Sequence, residues 1–227
     1  IKIASSSEFT EAVLMPGERV RSEVIRDGDR LKVYVVEVRR STRGPQVIIS
    51  RTHPGLVKRL FELEVPEIYD GIVEIRSIAR EAGSRTKMAV ISNDPEVDAI
   101  GACVGPKGAR VNNIVTELRG EKIDIVLYDD DPEKFVASAL APAEVYNVTL
   151  LEDGKSCRVI VPDNQLSLAI GKEGKNARLA AKLTGCKIDI KPASQVINDT
   201  TMNRIDLSAY LKQIDVDNEK IGADDKT

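Results

Sequence analysis

The chain has 227 residues, which suits one to three small domains. Apolar residues make up 42% of it but aromatic residues only 4%, so we expect small cores of aliphatic side chains. It contains no apolar run near the ~20 residues of a membrane span and opens on no signal-peptide pattern, so we expect a cytoplasmic protein with no membrane partner.

The net charge of −3 is unevenly distributed along the chain. The last 35 residues hold seven acidic and four basic side chains, so the rest of the chain is neutral overall. Within that neutral part, basic residues cluster over 39–59, where no acidic residue intervenes, and again over 171–191. Local basic faces on a neutral body suit a phosphate-binding surface, although ordinary solvated faces fit the charge pattern equally well.

The three cysteines are far apart and form no C-x-x-C pair. This spacing disfavours a metal site or a disulfide framework, and we interpret Cys103, Cys157 and Cys186 as small buried hydrophobes. The same reasoning leads us to expect no metal and no cofactor.

The N-terminal segment has the pattern of β-structure. Leu31–Val38 alternates and is rich in β-branched residues, and Gln46–Ser50 follows after a Gly44-Pro45 turn. Short strands, tight turns and basic residues predict a small OB-type barrel over residues 1–51. We expect the barrel to be incomplete, because too few strands precede the hairpin to close five strands. A generic β-hairpin subdomain is an equal alternative.

A helix is predicted to begin at Thr52-His53-Pro54, with Pro54 near its first position. Leu56, Leu60 and Leu63 recur at helical spacing, and Pro66 is predicted to end the helix. His53 has no Ser, Cys or paired carboxylates around it, so we interpret it as a helix-start or linker residue rather than a catalytic base.

An internal repeat is the most informative feature of the sequence. The chain reads VGPKGARVNNIVTELRGEKIDIVL around Gly105 and IGKEGKNARLAAKLTGCKIDIKP around Gly171. Both copies contain G-x-x-G, a helical stretch, a further Gly and then Lys-Ile-Asp-Ile, with spacings that differ by one residue. We conclude that two copies of one structural unit are present.

The elements predicted around each G-x-x-G also correspond. In the first copy they are strands at Gly71–Arg76 and Lys87–Ile91, a short helix after Pro95, a helix with Val111, Ile114, Val115 and Leu118 on one face, and a strand at Ile123–Leu127. In the second they are a helix from Asp131-Pro132 carrying Phe135, Val136, Ala139 and Leu140, strands at Val145–Leu151 and Cys157–Val161, a helix N-capped by Asp163, and a strand at Ile188–Ile190. The predicted order α-β-β-α-α-β therefore repeats. The run Asp129-Asp130-Asp131 is interpreted as an N-cap and linker rather than a metal site.

Two helices joined through G-x-x-G can bind a sugar-phosphate strand. Glycine permits the tight turn and leaves room for close approach, and the following helix presents unpaired N–H groups to a phosphate. Lys107, Lys172 and Lys175 add charge, and bases can lie across the adjoining groove. An isolated motif would favour a plain helix hairpin, whereas two copies flanked by lysine favour RNA. Neither copy completes a P-loop or a dinucleotide-binding motif.

Three stretches extend this interpretation: SRTHPGLVKRLFELEVPEIYDGIVEI from Ser50, REAGSRTKMAV running into DAIGACVGPKGARVNNIV, and PDNQLSLAIGKEGKNARLAAKLTGCKIDI from Pro162. Through them, nearly all of Glu11 to Pro192 resembles the NusA family of bacterial transcription elongation and termination factors. The resemblance implies an α+β chain, with an OB-type barrel (1–51), two tandem type-II KH domains packed as one rigid unit (52–128 and 129–192) and an acidic tail (193–227).

The resemblance also implies a function and a site. It implies contact with nascent single-stranded RNA at RNA polymerase, alongside other elongation and antitermination factors, with effects on pausing, termination and antitermination. We expect a monomer with no enzymatic activity and no catalytic residue. The residues expected to contact RNA in the two KH domains are Gly105, Pro106, Lys107, Gly108, Arg110, Gly171, Lys172, Glu173, Gly174, Lys175, Asn176 and Arg178. Charge alone adds Lys32, Arg39, Arg40 and Arg43 in the barrel.

The family has an N-terminal polymerase-binding domain, and none precedes Ile1. We therefore expect a fragment of a longer protein, with polymerase docking outside it. Beyond Pro192 the resemblance fades, and one helix is predicted at Asp206–Ile214.

Two other classes of protein carry related domains. Polynucleotide phosphorylase has KH and OB-type domains in the opposite order, after a catalytic core for which this chain has no room. Small-subunit ribosomal proteins of KH fold usually have one such domain and strongly basic extensions. A phosphorolysis assay tests the first alternative, and co-sedimentation with ribosomes tests the second.

Overall fold

The computed structural model describes residues 2–5, 8–41 and 44–198. Its strands are β1 (Lys2–Ser5), β2 (Glu8–Leu14), β3 (Tyr34–Ser41), β4 (Gly44–Ser50), β5 (Val73–Glu81), β6 (Arg85–Ser92), β7 (Lys122–Leu127), β8 (Asn147–Leu150), β9 (Ser156–Val161) and β10 (Lys187–Pro192). Its helices are α1 (Pro54–Glu64), α2 (Pro66–Tyr69), α3 (Ala99–Val104), α4 (Ala109–Glu117), α5 (Pro132–Ala139), α6 (Leu166–Ile170), α7 (Lys175–Thr184) and α8 (Ala193–Asn198). Within these ranges, no helix has the length and apolar character needed to cross a membrane.

The N-terminal strands form an open four-stranded sheet in the order β1-β2-β4-β3. The predicted hairpin is confirmed, because β3 and β4 pair antiparallel with Ser41 opposite Gly44. Two strands, β1 and β2, precede the hairpin, and β2 runs parallel to β4. The predicted OB-type barrel is not confirmed. Among the described residues, β1 and β3 form the two edges of the sheet and no ladder joins them.

The two repeat units have the same topology. In the first, β6 lies between antiparallel β5 and parallel β7, and in the second, β9 lies between antiparallel β8 and parallel β10. Each Lys-Ile-Asp-Ile segment is therefore the parallel edge strand of its sheet. The predicted order α-β-β-α-α-β is confirmed in both units.

The helix after the N-terminal sheet begins as predicted. Pro54 is its first residue, and His53 caps it, with Nδ1 accepting a hydrogen bond from the Gly55 N–H at 2.9 Å. The three leucines at helical spacing all lie in α1 as predicted, but only Leu56 and Leu60 are buried, whereas Leu63 is 72% exposed. Pro66 follows the end of α1, as predicted, but also begins the short helix α2.

The second repeat unit begins at a capped helix. The Asp131 carboxylate accepts from the Glu133 N–H at 3.0 Å, which confirms its N-cap role. The four predicted apolar residues of α5 are buried, namely Phe135, Val136, Ala139 and Leu140. Among the cysteines, Cys103 and Cys157 are buried, which confirms their interpretation as hydrophobes, and Cys186 is half-buried. Burial raises the pKa of the Cys103 thiol to about 12.

The prediction that Asp163 caps the helix before the second G-x-x-G is wrong. Asp163 is itself the first residue of a 3₁₀ turn that precedes α6, and its carboxylate accepts from the N–H and hydroxyl of Ser194, at 3.2 and 3.0 Å. This contact ties α8 to the second unit, and Ala193 and Val196 of α8 pack against Ile160. The start of the predicted tail is thus helical, while the helix predicted at Asp206–Ile214 lies outside the described residues.

The two repeat units share one hydrophobic core. Buried Ala79, Ala89 and Val126 of the first sheet pack in the same cluster as Leu179 and Ala180 of α7. A polar contact crosses the same boundary, because the buried Lys87 ammonium donates to the Ala141 carbonyl at 2.7 Å and lies 3.3 Å from Asp124. Burial lowers the pKa of Lys87, and the charge of Asp124 opposes that shift. The units are therefore fixed relative to each other.

Arg51 joins the N-terminal sheet to the first repeat unit. Its side chain is fully buried and donates to Glu23 at 3.0 Å, to Glu117 at 3.0 Å and to the Lys32 carbonyl at 2.8 Å. Glu23 precedes the sheet's hairpin and Glu117 ends α4, so one guanidinium ties together segments far apart in sequence.

We expect Arg51→Met to lower the free energy of unfolding by about 3–5 kcal/mol, because it leaves the buried Glu23 carboxylate without its partner. Urea unfolding followed by circular dichroism measures the change. Adding Glu23→Met removes the orphaned charge and should recover part of the loss. A loss below about 1 kcal/mol, the range of exposed ion pairs, would contradict this role.

Candidate nucleic-acid interface

The two G-x-x-G loops, the first loop (residues 105–108) and the second loop (residues 171–174), have the same backbone conformation. The first glycines have φ/ψ of 72°/173° and 75°/167°, and the second glycines 76°/13° and 70°/16°. The third residue of each loop is left-handed although it is not glycine, with Lys107 at 52°/27° and Glu173 at 57°/24°. Both loops therefore present one backbone shape.

The first glycine of each loop is required by packing as well as by its positive φ. A Cβ at Gly105 would lie 2.6 Å from Cγ of Arg110, and one at Gly171 would lie 2.9 Å from the backbone nitrogen of Asn176. The second glycines are less crowded. A Cβ at Gly174 would meet nothing within 4 Å, so backbone conformation alone favours glycine there.

Arg110 and Asn176 occupy the same place in the repeat, five residues after the first glycine. The Arg110 guanidinium donates to the Ala102 carbonyl at 2.6 Å, and the Asn176 amide donates to Ala169 at 3.1 Å and Leu140 at 2.9 Å. Each side chain thus ties the helix after the loop to the helix before it. Asn176 is only 2% exposed, so its side chain holds the loop in shape rather than facing solvent.

The exposed part of each loop carries its charge. Pro106, Lys107, Lys172 and Glu173 are exposed, and Lys175 begins α7 with its ammonium 3.2 Å from the Glu173 carboxylate. Neither α4 nor α7 has a side-chain N-cap bond, because Gly108 and Gly174 occupy the cap positions. The first-turn N–H groups of both helices therefore lack the side-chain acceptor that usually satisfies them, and an anion can take its place.

Arg178 connects the second loop to the first repeat unit. Its Nε donates to Glu81 of β5 at 2.6 Å, and its Nη1 donates to the Glu173 carbonyl at 3.2 Å. The hydrogen bond from the Arg178 guanidinium holds the pKa of the Glu81 carboxyl below its ordinary value. Arg178 therefore orients the loop against the neighbouring sheet.

The basic residues predicted in the N-terminal segment lie apart from the loops. Lys32 lines a cavity of about 420 Å³ between that segment and helices α1 and α4, together with Arg30 and Arg119. Arg39 and Arg40 are exposed on β3, and Arg39 pairs with Glu37 at 2.9 Å. Arg43 lies outside the described residues. Among the described residues, no hydrogen bond or ion pair joins Lys32, Arg39 or Arg40 to either loop.

Comparison with known families and relatives agrees with this geometry. The NusA-like first KH domain matches residues 51–128, and the NusA-like second KH domain matches residues 132–198. The chain belongs to the NusA family. Its two repeat units are tandem KH domains, and the loops are the G-x-x-G loops of those domains.

Several relatives carry the name transcription termination/antitermination protein NusA. The one from Halalkalibacterium halodurans is 62% identical over 185 residues, covering 82% of this chain and 48% of the relative. The one from Bacillus subtilis is 54% identical over 217 residues, covering 96% and 56%. The one from Thermus thermophilus is 46% identical over 194 residues, covering 86% and 50%. The chain thus spans about half the length of these relatives.

Two carboxylates that position the loops were not predicted from the sequence. Glu67 of α2 lies 2.9 Å from Arg110, and Glu81 pairs with Arg178 across the boundary between the KH domains. Each partner is more than 40 residues away, at separations of 43 and 97, and no local pattern connects them. The repeat in the sequence gives no signal for these two carboxylates. It shows only that Arg110 and Asn176 occupy equivalent positions in the two copies.

We expect Gly171→Ala to destabilise the chain more than Gly174→Ala. Alanine at 174 should lower the free energy of unfolding by about 1–2 kcal/mol, because its backbone must stay left-handed. Alanine at 171 has the same cost and also clashes with the backbone of Asn176. Urea unfolding curves of the two variants give the comparison. Equal losses, or a larger loss for Gly174→Ala, would show that packing against Asn176 does not constrain the loop.

Proposed function

We propose that this chain binds one continuous single strand of RNA through both KH loops, as part of a bacterial factor that acts in transcription termination and antitermination. The observation that carries the proposal is the pair of identical loop backbones fixed on one shared core. The process, transcription termination and antitermination, comes from the names of the relatives.

In this proposal, each loop receives a phosphate at the start of the following helix. The N–H groups of α4 and α7 donate to it, and Lys107, Lys172 and Lys175 supply positive charge. Gly105, Gly108, Gly171 and Gly174 allow the close approach, and exposed Pro106 lies beside it. Arg110, Asn176 and Arg178 act by holding the loops in position.

The wider role is also part of the proposal. The RNA is the nascent transcript at RNA polymerase, the whole factor affects pausing as well as termination, and it works with other elongation factors in the cytoplasm. The chain acts by binding rather than by catalysis, as a monomer. Lys32, Arg39, Arg40 and Arg43 add contacts from the N-terminal sheet, which we propose is an open relative of the OB-type barrel. The proposed domain bounds are 1–51, 52–128, 129–192 and 193–227.

We expect Pro106→Asp/Lys107→Asp, and separately Lys172→Asp/Glu173→Asp, to weaken RNA binding. The first variant places two carboxylates where phosphate is bound, and the second replaces the Lys172 cation with a carboxylate while keeping one at 173. The replaced side chains are exposed, so the fold should persist. Gel shifts with single-stranded RNA measure affinity, and circular dichroism checks folding. Unchanged affinity in both folded variants would refute RNA binding by the KH loops.

We also expect RNA affinity to rise sharply at one RNA length. Only residues 128–131 separate β7 from α5, and the shared core fixes the domains, so the second loop binds an already tethered strand at high effective concentration. Titration of a length series of single-stranded RNAs gives the measurement. A smooth rise, or two short RNAs bound per chain with full affinity, would show that the domains bind separately.

A further inference from the structure

The third residue of the two loops differs in the sign of its charge. The first loop has Lys107 and the second has Glu173, at positions whose φ and ψ agree within 5°. The flanking glycines also match, so the two side chains leave the backbone in the same direction relative to their loops. Where the first loop presents a cation to its phosphate, the second presents a carboxylate.

Glu173 is paired within its own loop. Its Oε2 lies 3.2 Å from the Lys175 ammonium, and their side chains are 63% and 28% exposed. Lys175 is the first residue of α7, directly at the helix start where the phosphate is proposed to bind. The carboxylate therefore already neutralises a cation that the phosphate would use.

We propose that Glu173 is a built-in competitor for the RNA phosphate at the second loop. The second loop binds RNA by displacing Glu173 from Lys175, and it therefore binds more weakly than it would without that carboxylate. This inference rests on the proposed function and determines how it operates. A strand held at the first loop reaches the second at high effective concentration, whereas a short RNA does not, so the chain favours long single strands.

An exposed carboxylate beside RNA could instead accept a hydrogen bond from a base. The geometry favours competition, because the Lys175 pair holds the carboxylate beside the helix start, where the phosphate is proposed to bind. The two roles differ in base dependence. Cytosine and adenine carry exocyclic amino groups that a carboxylate can read and uracil carries none, whereas phosphate competition is the same for all three.

The decisive variant is Glu173→Gln in the full chain, which keeps the side-chain size and removes the charge. We expect oligo(U), oligo(C) and oligo(A) long enough to span both loops to bind about two- to fivefold more tightly, as for loss of one exposed charge contact. The slope of log affinity against log salt should steepen by less than about 0.7, because in the unaltered chain the displaced Glu173 carboxylate still offsets part of the charge that Lys175 offers to the phosphate. Lys175→Gln should weaken binding, and adding it to Glu173→Gln should abolish the gain.

Glu144→Gln is the matched control, since it removes one exposed charge from the segment between α5 and β8, outside both loops, and should leave affinity unchanged. Unchanged affinity for Glu173→Gln would overturn the inference, as would equal gains in the presence and absence of Lys175. Weaker binding of oligo(C) and oligo(A), with oligo(U) unaffected, would assign Glu173 to base recognition. If the unaltered chain binds none of the three RNAs, the proposed function itself fails.

Discussion

The joint between the two KH domains sets the position of the second G-x-x-G loop relative to the first. Helix α7 begins at the end of the second loop and lies against β5 and β6 of the first domain, so the second loop is positioned by the first domain's sheet. Small side chains at Ala79 and Ala89 let the helix approach that sheet closely. Rigid packing of this kind resists small adjustments, because protein interiors are close-packed.

A buried charge lies in the same joint. Lys87 is fully buried, and within the part of the chain that the structure describes its ammonium contacts the Ala141 carbonyl and Asp124 alone. Burying an ammonium costs several kcal/mol before its partners compensate, so its contribution to stability is small or unfavourable. Lys87 instead favours one arrangement of the two domains, because sliding one domain on the other would leave its ammonium unpaired. The joint thus combines apolar packing for stability with a polar contact that selects one arrangement.

Much of each KH domain could be predicted because its determinants are local. The apolar spacing of α5, the Asp131 cap and the glycines of the two loops all act within a few residues, and the loop glycines occur in both copies of the repeat. The contacts of Arg51, Lys87 and Arg178 could not be predicted, since each joins segments 19 to 97 residues apart. The open N-terminal sheet was missed for a similar reason, because β2 pairs in parallel with the distant β4.

The basic clusters of the sequence show why charge patterns overstate a phosphate-binding surface. Residues 39–59 contain no acidic residue, yet three of their arginines pair with glutamates outside that segment. The partners of Arg39 and Arg59 lie just beyond its two ends, and the partner of Arg51 is distant in sequence. Arg80 and Arg85 likewise form two-point contacts with carboxylates. The planar guanidinium suits such fixed pairs, whereas an ammonium is a compact point charge.

Arginine and lysine therefore have different roles near the loops. Near the loops, Arg110 and Arg178 are occupied by carboxylates and carbonyls, and the exposed cations are Lys107 and Lys172. Few cations therefore remain for phosphate, and backbone N–H groups must supply part of each contact. The third loop position reverses its charge from Lys107 to Glu173, while the second position changes from Pro106 to Lys172, so the two loops carry their cation at different positions. The shape of the loops and their charge are thus separate properties. Glycines and buried hydrogen bonds fix the shape that both loops share. The two exposed middle residues set the charge, Pro106 and Lys107 in one loop and Lys172 and Glu173 in the other.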